Sequence, residues 1–390
     1  LYIFNPDNDL ALASDVANFT TPPHAAQIAH DLCTLPYFIA GAGDYVLVHT
    51  ELQKQWIADI DQRYQRGITG VCADEIPDLQ IERVCPWGWS RSIRQRLLRL
   101  GVDGNLLLSD EALAQIRYAA SRERTIDIMK ELQHFESDRG GVWCECPTRC
   151  DDFFQVKSFI ESHRGTVLKA PWSSSGKGIY IPNSPNERPM EQWCRGIIRR
   201  QGFIIAEPLY EKVLDFAMEF GVCRGRGTSF AGYSVFFNDS HNSFDYGVVA
   251  ENLELETIIC ETACVSADRL AQLSASLCKI IDSLVGNVYD GYVGVDMMVC
   301  VCSDGRRFIN PCVEVNLRCT MGVLANRIAL LGCVPDRSVS CVPSDVRKKF
   351  MVRYYQTKDE YMVAAENAVA TGGIILNAID ENTHFLASVE

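Results

Sequence analysis

Apolar and polar positions alternate along the first hundred residues in a way that predicts a parallel α/β sheet. Short apolar runs at 1–4, 45–49 and 70–72 have the length of buried strands, and turn residues bound them. Residues 51–64 and 90–100 instead carry apolar residues at helical spacing. Because strands that alternate with helices form parallel sheets, we expect this part to be an α/β domain.

The rest of the chain is predicted to combine helices with longer, paired strands. Helical periodicity predicts helices at 190–201, 268–284 and 358–370, and two more within 109–134. A strand hairpin is expected over 294–316, where apolar runs flank the turn signal CSDGR. Further strands are predicted at 203–206, 216–223, 229–236, 372–377 and 384–389. The pattern therefore indicates an α/β part followed by an α+β part.

Composition indicates a globular chain and limits its partners. Hydrophobic residues make up 47%, and the net charge of −13 argues against nonspecific nucleic-acid binding, which needs a basic surface. No apolar run approaches the length of a transmembrane helix, and residues 1–12 lack the basic start and long apolar core of a signal peptide. We therefore expect no nucleic-acid partner, no membrane span and a cytoplasmic location.

The 17 cysteines are expected to be reduced thiols, because their number is odd and no export signal is visible. One cluster, WCECPTRC, contains Cys144, Cys146 and Cys150, and three thiols so close together suit a metal ion. A structural zinc site usually has CxxC pairs and four ligands, which this cluster lacks. A loop with free thiols is therefore favoured over a metal site.

A turn rich in Ser and Gly is the first candidate for ligand chemistry. The segment TVLKAPWSSSGKGIYI ends one strand at Lys169 and begins the next near residue 179. Backbone N–H groups of such a turn converge on an anion, and a lysine adds a point charge, so the segment predicts a polyphosphate site. An ordinary hairpin with a flexible tip is the alternative. The turn residues are Ser173, Ser174, Ser175, Gly176, Lys177 and Gly178.

The hairpin over 294–316 carries side chains suited to Mg²⁺. Glu314 and Asn316 are two residues apart on one strand and therefore share a face. A three-residue loop, or a bulge at Pro311, is expected to set Asp296 opposite Glu314 on that face. Mg²⁺ prefers oxygen ligands and keeps phosphate oxygens in its shell, so the set predicts a metal site. A structural polar network is the alternative.

The chain resembles the ATP-grasp superfamily of carboxylate–amine ligases in the order of three motifs. These are Lys169 with its Ser/Gly turn, the acidic strand GVDMMV and the ExN pair Glu314/Asn316. In motif layout the chain is most similar to enzymes of the D-alanine–D-alanine ligase type. The resemblance covers about residues 120–345 and implies an ATP-grasp fold with an N-terminal α/β domain. It implies ATP and Mg²⁺ as cofactors and small-molecule or peptide carboxylate and amine substrates, and it allows a homodimer.

The resemblance also implies a division into four parts and a role for several residues. The parts are an N-terminal α/β domain (1–115), a small subdomain with the phosphate loop (116–205), a core subdomain with the metal site (206–345) and a C-terminal extension (346–390). Glu207 matches the acid that accepts from the adenine amino group, and Leu209, after a proline, matches the backbone donor to the ring. Asp215 matches an acid on the ribose hydroxyls, and Arg124, in SRERT, matches a lysine that reaches ATP.

The implied activity is phosphorylation of a carboxylate by ATP to an acyl phosphate, followed by attack of an amine. Arg318 matches a cation that follows the ExN pair and binds phosphate or the acceptor carboxylate. The family ligases carry an arginine two residues before the metal Asp, and this chain has Gly294 there. The transition-state cation is then expected from Arg318, Lys177 or Arg226. A kinase on the same fold and a nucleotide-binding protein without turnover remain alternatives.

Polar residues follow the predicted N-terminal strands, where ligands of open α/β sheets bind. Asn5, Asp7, Asp9 and Asp44 are candidates for substrate contacts on this ground. The alternative is that they cap helices and form turns.

Overall fold

The computed structural model describes residues 1–136, 144–173, 178–239, 244–331 and 348–390. The chain divides into two compact units, one of residues 1–113, 245–252 and 318–390 and the other of residues 114–244 and 253–317. The first boundary lies close to the predicted one after residue 115. The predicted boundary after 205 lies inside the second unit, and the predicted boundary after 345 lies outside the described residues. The four-part division stays a prediction.

Strands are short in the N-terminal part and longer in the middle of the chain. The strands are β1 (Tyr2–Ile3), β2 (Tyr45–Leu47), β3 (Thr69–Val71), β4 (Cys85–Pro86), β5 (Thr148–Cys150), β6 (Thr166–Lys169), β7 (Ile179–Tyr180), β8 (Ile204–Pro208), β9 (Glu211–Cys223), β10 (Gly227–Asn238), β11 (Phe244–Val248), β12 (Gly291–Val301), β13 (Arg307–Asn316), β14 (Lys349–Tyr354), β15 (Ile374–Ile375) and β16 (Phe385–Val389). The α-helices are α1 (Asn8–Ser14), α2 (Pro23–Asp31), α3 (Glu51–Tyr64), α4 (Arg91–Arg99), α5 (Asp110–Ala119), α6 (Arg124–Glu136), α7 (Phe153–Ser162), α8 (Arg188–Gln201), α9 (Asn252–Ala263), α10 (Ala267–Val285), α11 (Met321–Leu330) and α12 (Lys358–Ala370). None of these described helices is long and apolar enough to cross a membrane.

The first unit contains the predicted parallel sheet, with its strands in the order β3, β2, β1, β4. Helix α3 covers the predicted residues because Thr50 and Gln53 form a capping box at its start. The same unit pairs β11, β14, β16 and β15 in antiparallel order. Asp31, at the end of α2, accepts hydrogen bonds from the backbone N–H groups of His384 and Phe385 and so fixes the C-terminal strand.

The second unit contains two antiparallel sheets that carry most of the predicted site residues. The smaller sheet pairs β5, β8, β6 and β7, and α7 and α8 cover it with a core that includes Phe159, Leu168, Cys194 and Ile204. The larger pairs β13, β12, β9 and β10. Between Leu214 and Val222 of β9 and between Val293 and Val299 of β12, one side of the strands is apolar and buried, and Asp215, Glu219 and Asp296 lie on the other side.

Candidate functional site

The hairpin of β12 and β13 has both of the features that the sequence offered as alternatives. Its tip is a three-residue loop, closed by a hydrogen bond of 2.8 Å from Cys302 N to Arg306 O. Between the pairs Asp296–Glu314 and Met298–Asn310, one residue of β12 faces three residues of β13, so β13 bulges around Pro311. The predicted pairing of Asp296 with Glu314 is confirmed.

Paired residues in antiparallel strands point to the same face, so the register defines which side chains lie together. Gly294 pairs with Asn316 and also with Glu219 of β9, and Met298 pairs with Asp215. We call the side of β9, β12 and β13 on which these residues lie the carboxylate face. Its polar side chains are Asp215, Glu219, Asp296, Asn310, Glu314 and Asn316.

Asp296, Glu314 and Asn316 together offer the oxygen ligands that Mg²⁺ prefers. Asn316 is buried, whereas the Glu314 side chain is 26% exposed. Among the described residues, no three His, Cys, Asp or Glu side chains form a group that could hold a metal ion. A metal here would therefore depend on the amide of Asn316 and on oxygens from outside the protein, such as those of phosphates. The donor set fits Mg²⁺ held together with a nucleotide.

Arg122 is a site residue that the sequence analysis missed. Its Nη2 lies 2.7 Å from Glu314 Oε1, and its Nη1 donates to Ala170 O at 2.8 Å and to Ser173 Oγ at 2.5 Å. The side chain is only 4% exposed. Arg122 therefore connects the beginning of the Ser/Gly turn with a predicted metal ligand. The sequence signal for Arg122 is its place in SRERT, two residues before Arg124, the arginine that the resemblance matches to a lysine reaching ATP.

Arg124 has contacts away from these groups. Its guanidinium pairs with Glu123 at 2.6 Å and with Asp127, and it lies over the ring of Tyr118. These contacts fix the start of α6, while the residue that contacts Glu314 is Arg122. A contact between Arg124 and ATP stays a prediction.

Lys169 and Glu207 form a buried ion pair between β6 and β8. Lys169 Nζ lies 2.7 Å from Glu207 Oε2 and donates to Val313 O at 3.2 Å. Only 5% and 8% of the two side chains are exposed. Glu207 Oε1 is buried and has no hydrogen-bond partner among the described residues. A buried acceptor without a donor is costly, so this oxygen indicates a place where a ligand donates a hydrogen bond.

Leu209 does not fit its predicted role. Its backbone N–H, which was expected to be open to an adenine ring, donates to Gly165 O at 3.0 Å. The reason is that β6 and β8 stay paired up to Thr166 and Pro208, and the chain continues the pairing by one more bond. In the structure, Leu209 N is therefore not available as a backbone donor to an adenine ring.

Asp215 lies on the carboxylate face, as a ribose-binding acid would require. It pairs with Lys212 and accepts from Asn238 Nδ2 at 3.1 Å. Burial raises the pKa of Asp215, and the bonds from Lys212 and Asn238 act in the opposite direction. Glu219 lies four residues further along β9, on the same face. It is buried and accepts a hydrogen bond from Ser234 Oγ at 3.0 Å. It lies opposite Gly294.

The structure describes only the two ends of the predicted phosphate loop. Ser174, Ser175, Gly176 and Lys177 lie outside the described residues. Gly178 O accepts from Ala170 N at 2.8 Å, which closes the base of the turn. A Cβ atom on Gly178 would lie 2.1 Å from Ser173 Oγ, so the turn can close in this way only with glycine. The loop's phosphate role and the catalytic role of Lys177 stay predictions.

Arg318 belongs to the first unit, and its described contacts are there. Its Nε lies 2.9 Å from Asp9 Oδ2, and its backbone forms a bridge with Gly88. Asn5 also bonds to Gly88, through both its amide nitrogen and its amide oxygen. Asp44 accepts from Gly41 N, as a turn residue does. The turn interpretation thus describes Asp44, whereas the side chain of Asn5 connects two distant parts of the unit, and the catalytic role of Arg318 stays a prediction.

Cys144, Cys146 and Cys150 are free thiols with different surroundings. The sulfur of Cys144 approaches Ile309 O, that of Cys146 approaches Gln133, and Cys150 lies in the core of the smaller sheet. Burial raises the pKa of Cys144, and it raises that of Cys150 to about 11. The three sulfurs thus have different described neighbours, and the interpretation as free thiols without a metal stays a prediction.

We expect a zinc-selective chelator to leave the melting temperature of the protein, as purified, unchanged. If Cys144, Cys146 and Cys150 held a structural zinc ion, its binding energy would be part of the folding energy, and chelation would unfold the chain. The measurement is thermal unfolding with and without a zinc-selective chelator, with Mg²⁺ kept constant. One mole of tightly held zinc per chain would contradict the prediction.

No protein-family model matches the chain, and no curated protein matches its sequence. Solved structures are similar to it at low identity. One is the biotin carboxylase domain of the 2-oxoglutarate carboxylase from Hydrogenobacter thermophilus, in complex with MgADP, ADP and bicarbonate, at 12% identity and a TM-score of 0.52. The match covers 90% of this chain and 86% of that one.

Two other solved structures are similar with lower scores. N5-carboxyaminoimidazole synthetase from Staphylococcus aureus has 12% identity and a TM-score of 0.49, over 90% of this chain and 93% of that one. D-alanyl-alanine synthetase A from Vibrio cholerae has 11% identity and a TM-score of 0.44, over 77% and 96%. At these identities the likeness to the Hydrogenobacter domain shows the fold, and it confirms the fold class that the motifs predicted. The chain has the ATP-grasp fold.

Proposed function

We propose that the protein is an ATP- and Mg²⁺-dependent ligase, which activates a carboxylate as an acyl phosphate for attack by an amine. The observation that carries the proposal is the alignment of Asp296, Glu314 and Asn316 on one face, with the guanidinium of Arg122 on Glu314. The presence of MgADP, ADP and bicarbonate in the Hydrogenobacter domain supports the choice of cofactors and of reaction.

In this proposal Asp296, Glu314 and Asn316 hold Mg²⁺ together with the nucleotide phosphates. The metal ion would supply charge neutralisation at the phosphoryl group, which is the main catalytic contribution in phosphoryl transfer. The protein's own part is to position three ligands on two strands whose register the bulge at Pro311 sets. Such positioning costs no reorganisation at the moment of reaction.

Glu207 is proposed to recognise the base. Its Oε1 is a buried acceptor without a described partner, and the exocyclic amino group of adenine is a donor of the required kind. Lys169 holds the other oxygen of the same carboxylate, so the free oxygen has a fixed position. A phosphate contact by Lys169 would require its Nζ to leave Glu207 and Val313 O, and it stays a prediction.

Arg122 is proposed to supply the cation that Gly294 does not. It is buried, positively charged and in contact with both the metal carboxylate and the beginning of the phosphate loop. Guanidinium groups with this kind of access stabilise the charge that develops in phosphoryl transfer. Arg122 is therefore added to Arg318, Lys177 and Arg226 as a candidate.

The substrates are proposed to be a small-molecule or peptide carboxylate and an amine. A cytoplasmic location and a homodimer stay predictions. The test is an assay of ADP release with a panel of carboxylates and amines, in which free phosphate is separated from phosphorylated product. A ligase releases ADP and phosphate only when both substrates are present. A phosphorylated final product would establish a kinase, and ATP binding without ADP release would establish a binding protein.

We expect Lys169→Met to destabilise the protein, because it leaves the buried Glu207 carboxylate without its cation. Removing one partner of a buried pair costs about 3–5 kcal/mol. Adding Glu207→Gln removes the unpaired charge and should restore much of the free energy of unfolding. Neither Lys169→Met nor the double variant should bind ATP well. The measurement is denaturant unfolding of both single variants and the double variant. Additive losses in the double variant would contradict the coupling.

A further inference from the structure

A cleft of about 440 Å³ lies in the second unit, between the tip of the β12–β13 hairpin and the first turns of α10. This volume is within the range of sites for small molecules. Partly exposed apolar side chains and three cationic side chains line it together: Val265, Ile309, Arg269, Arg306 and Arg307.

The cleft lies on the opposite side of the sheet from the proposed metal site. Arg307 and Ile309 pair with Val301 and Val299, which alternate with the residues of the carboxylate face. Both therefore point to the apolar side of β12 and β13, and both line the cleft together with α10. The cleft is thus separate from Asp296 and its neighbours, and the proposed ATP chemistry does not use it.

The charge of the cleft is opposite to that of the protein. The chain carries 50 acidic and 37 basic residues, yet three arginines meet here. Arg306 is paired with Asp304 at 2.7 Å, in an exposed pair that solvent screens. Arg307 donates to Thr262 O at 2.8 Å and has no carboxylate partner among the described residues. Burial lowers the pKa of Arg269, which lies at the start of α10.

Cationic groups beside an apolar surface suit a ligand that is both anionic and apolar. Guanidinium groups bind carboxylates through paired N–H donors, and the partly exposed side chains of Val265 and Ile309 offer a surface for a hydrocarbon body. Thr262 O fixes one nitrogen of Arg307 and leaves its other donors for a ligand. We propose that this cleft is a second binding site, for a small organic carboxylate with an apolar body.

The test uses octanoate as a probe and octanol as its uncharged analogue, in calorimetric titrations of the full-length chain. We expect one octanoate per chain and binding of octanol at least about tenfold weaker, since a charge-assisted pair contributes about that factor. Arg307→Gln should weaken octanoate binding by a similar factor. Because Arg307 is exposed, the variant should keep its melting temperature.

Arg195→Gln is the matched control, because Arg195 is an exposed arginine on α8 paired with Glu191. It should bind octanoate like the wild-type protein. Octanoate should also bind equally well with and without Mg-ATP. Equal affinity for octanol, unchanged binding by Arg307→Gln, or displacement of octanoate by Mg-ATP would each overturn the proposal, and the last would assign the probe to the nucleotide site. Failure of the ligase assay would leave this test intact, since no readout depends on turnover.

Discussion

The Glu314→Gln variant is expected to fold normally and to lose ATP turnover by about 100-fold or more, because a metal ligand at a phosphoryl-transfer site contributes several kcal/mol. Glutamine keeps an oxygen that accepts from Arg122 Nη2 but loses the negative charge that would bind Mg²⁺. The loss of stability should stay near 1–2 kcal/mol, since the hydrogen bond is kept and the side chain is partly exposed. The measurements are ADP release at increasing Mg²⁺ and thermal unfolding.

Glu191→Gln is the control for this experiment. Glu191 lies on the surface of α8 in an exposed pair with Arg195, so removing its charge should change neither turnover nor stability measurably. A raised Mg²⁺ requirement in Glu314→Gln alone would support the metal assignment. Full turnover in Glu314→Gln at the Mg²⁺ concentration of the wild-type protein would contradict it, whatever the substrates are.

Elements with clear end signals were predictable to the residue. Helices α3 and α12 cover the predicted residues 51–64 and 358–370, and each begins with a capping box, at Thr50 and at Thr357. Such a box satisfies backbone donors locally, so the helix start depends little on the rest of the fold. The stripe of α10 was also predictable, because Leu270, Leu277 and Ile281 recur at helical spacing and are buried.

Elements that depend on tertiary packing were missed. Strand β4 has two residues, too few for any periodicity, and exists because it pairs with β1. Helix α9 mixes acidic and apolar residues without a sharp apolar face. Helix α7 was also missed, although the sequence carries its signals. Asp152 caps its start, and the buried residues Val156, Phe159 and Ile160 recur at helical spacing.

The candidate site divides in the same way. The opposition of Asp296 and Glu314 follows from a turn and a bulge that lie within one hairpin, so the sequence was sufficient to predict it. The contact of Arg122 with Glu314 joins residues 192 positions apart, and no local signal distinguishes Arg122 from Arg124. The hydrogen bond of Leu209 N to Gly165 depends on how far β6 and β8 stay paired, which strand propensity does not fix.

Arg122→Gln is expected to lower turnover by about 100- to 1,000-fold, the usual loss when a preorganised donor to developing charge is removed. At the same time it should tighten the binding of Mg²⁺ in the absence of nucleotide. The reason is that Arg122 Nη2 occupies Glu314 Oε1 in the structure, so a divalent cation must share or displace this contact. Opposite changes in turnover and metal affinity separate a functional cation from a structural one.

Manganese titrations followed by electron paramagnetic resonance give the metal affinity, and ADP release gives the turnover. The turnover and the metal affinity of Arg122→Lys should lie between those of the wild-type protein and those of Arg122→Gln. The reason is that one ammonium keeps the charge but cannot bond to Glu314, Ala170 O and Ser173 Oγ in the same geometry. Arg149→Gln, which removes an exposed cation paired with Glu123 and Asp151, is the control and should change neither quantity.

If Arg122→Gln lost stability but kept both the metal affinity and the turnover per folded molecule, Arg122 would be only a structural support. If Arg124→Gln instead lowered ATP affinity and Arg122→Gln did not, the assignment from the sequence would replace the one from the geometry.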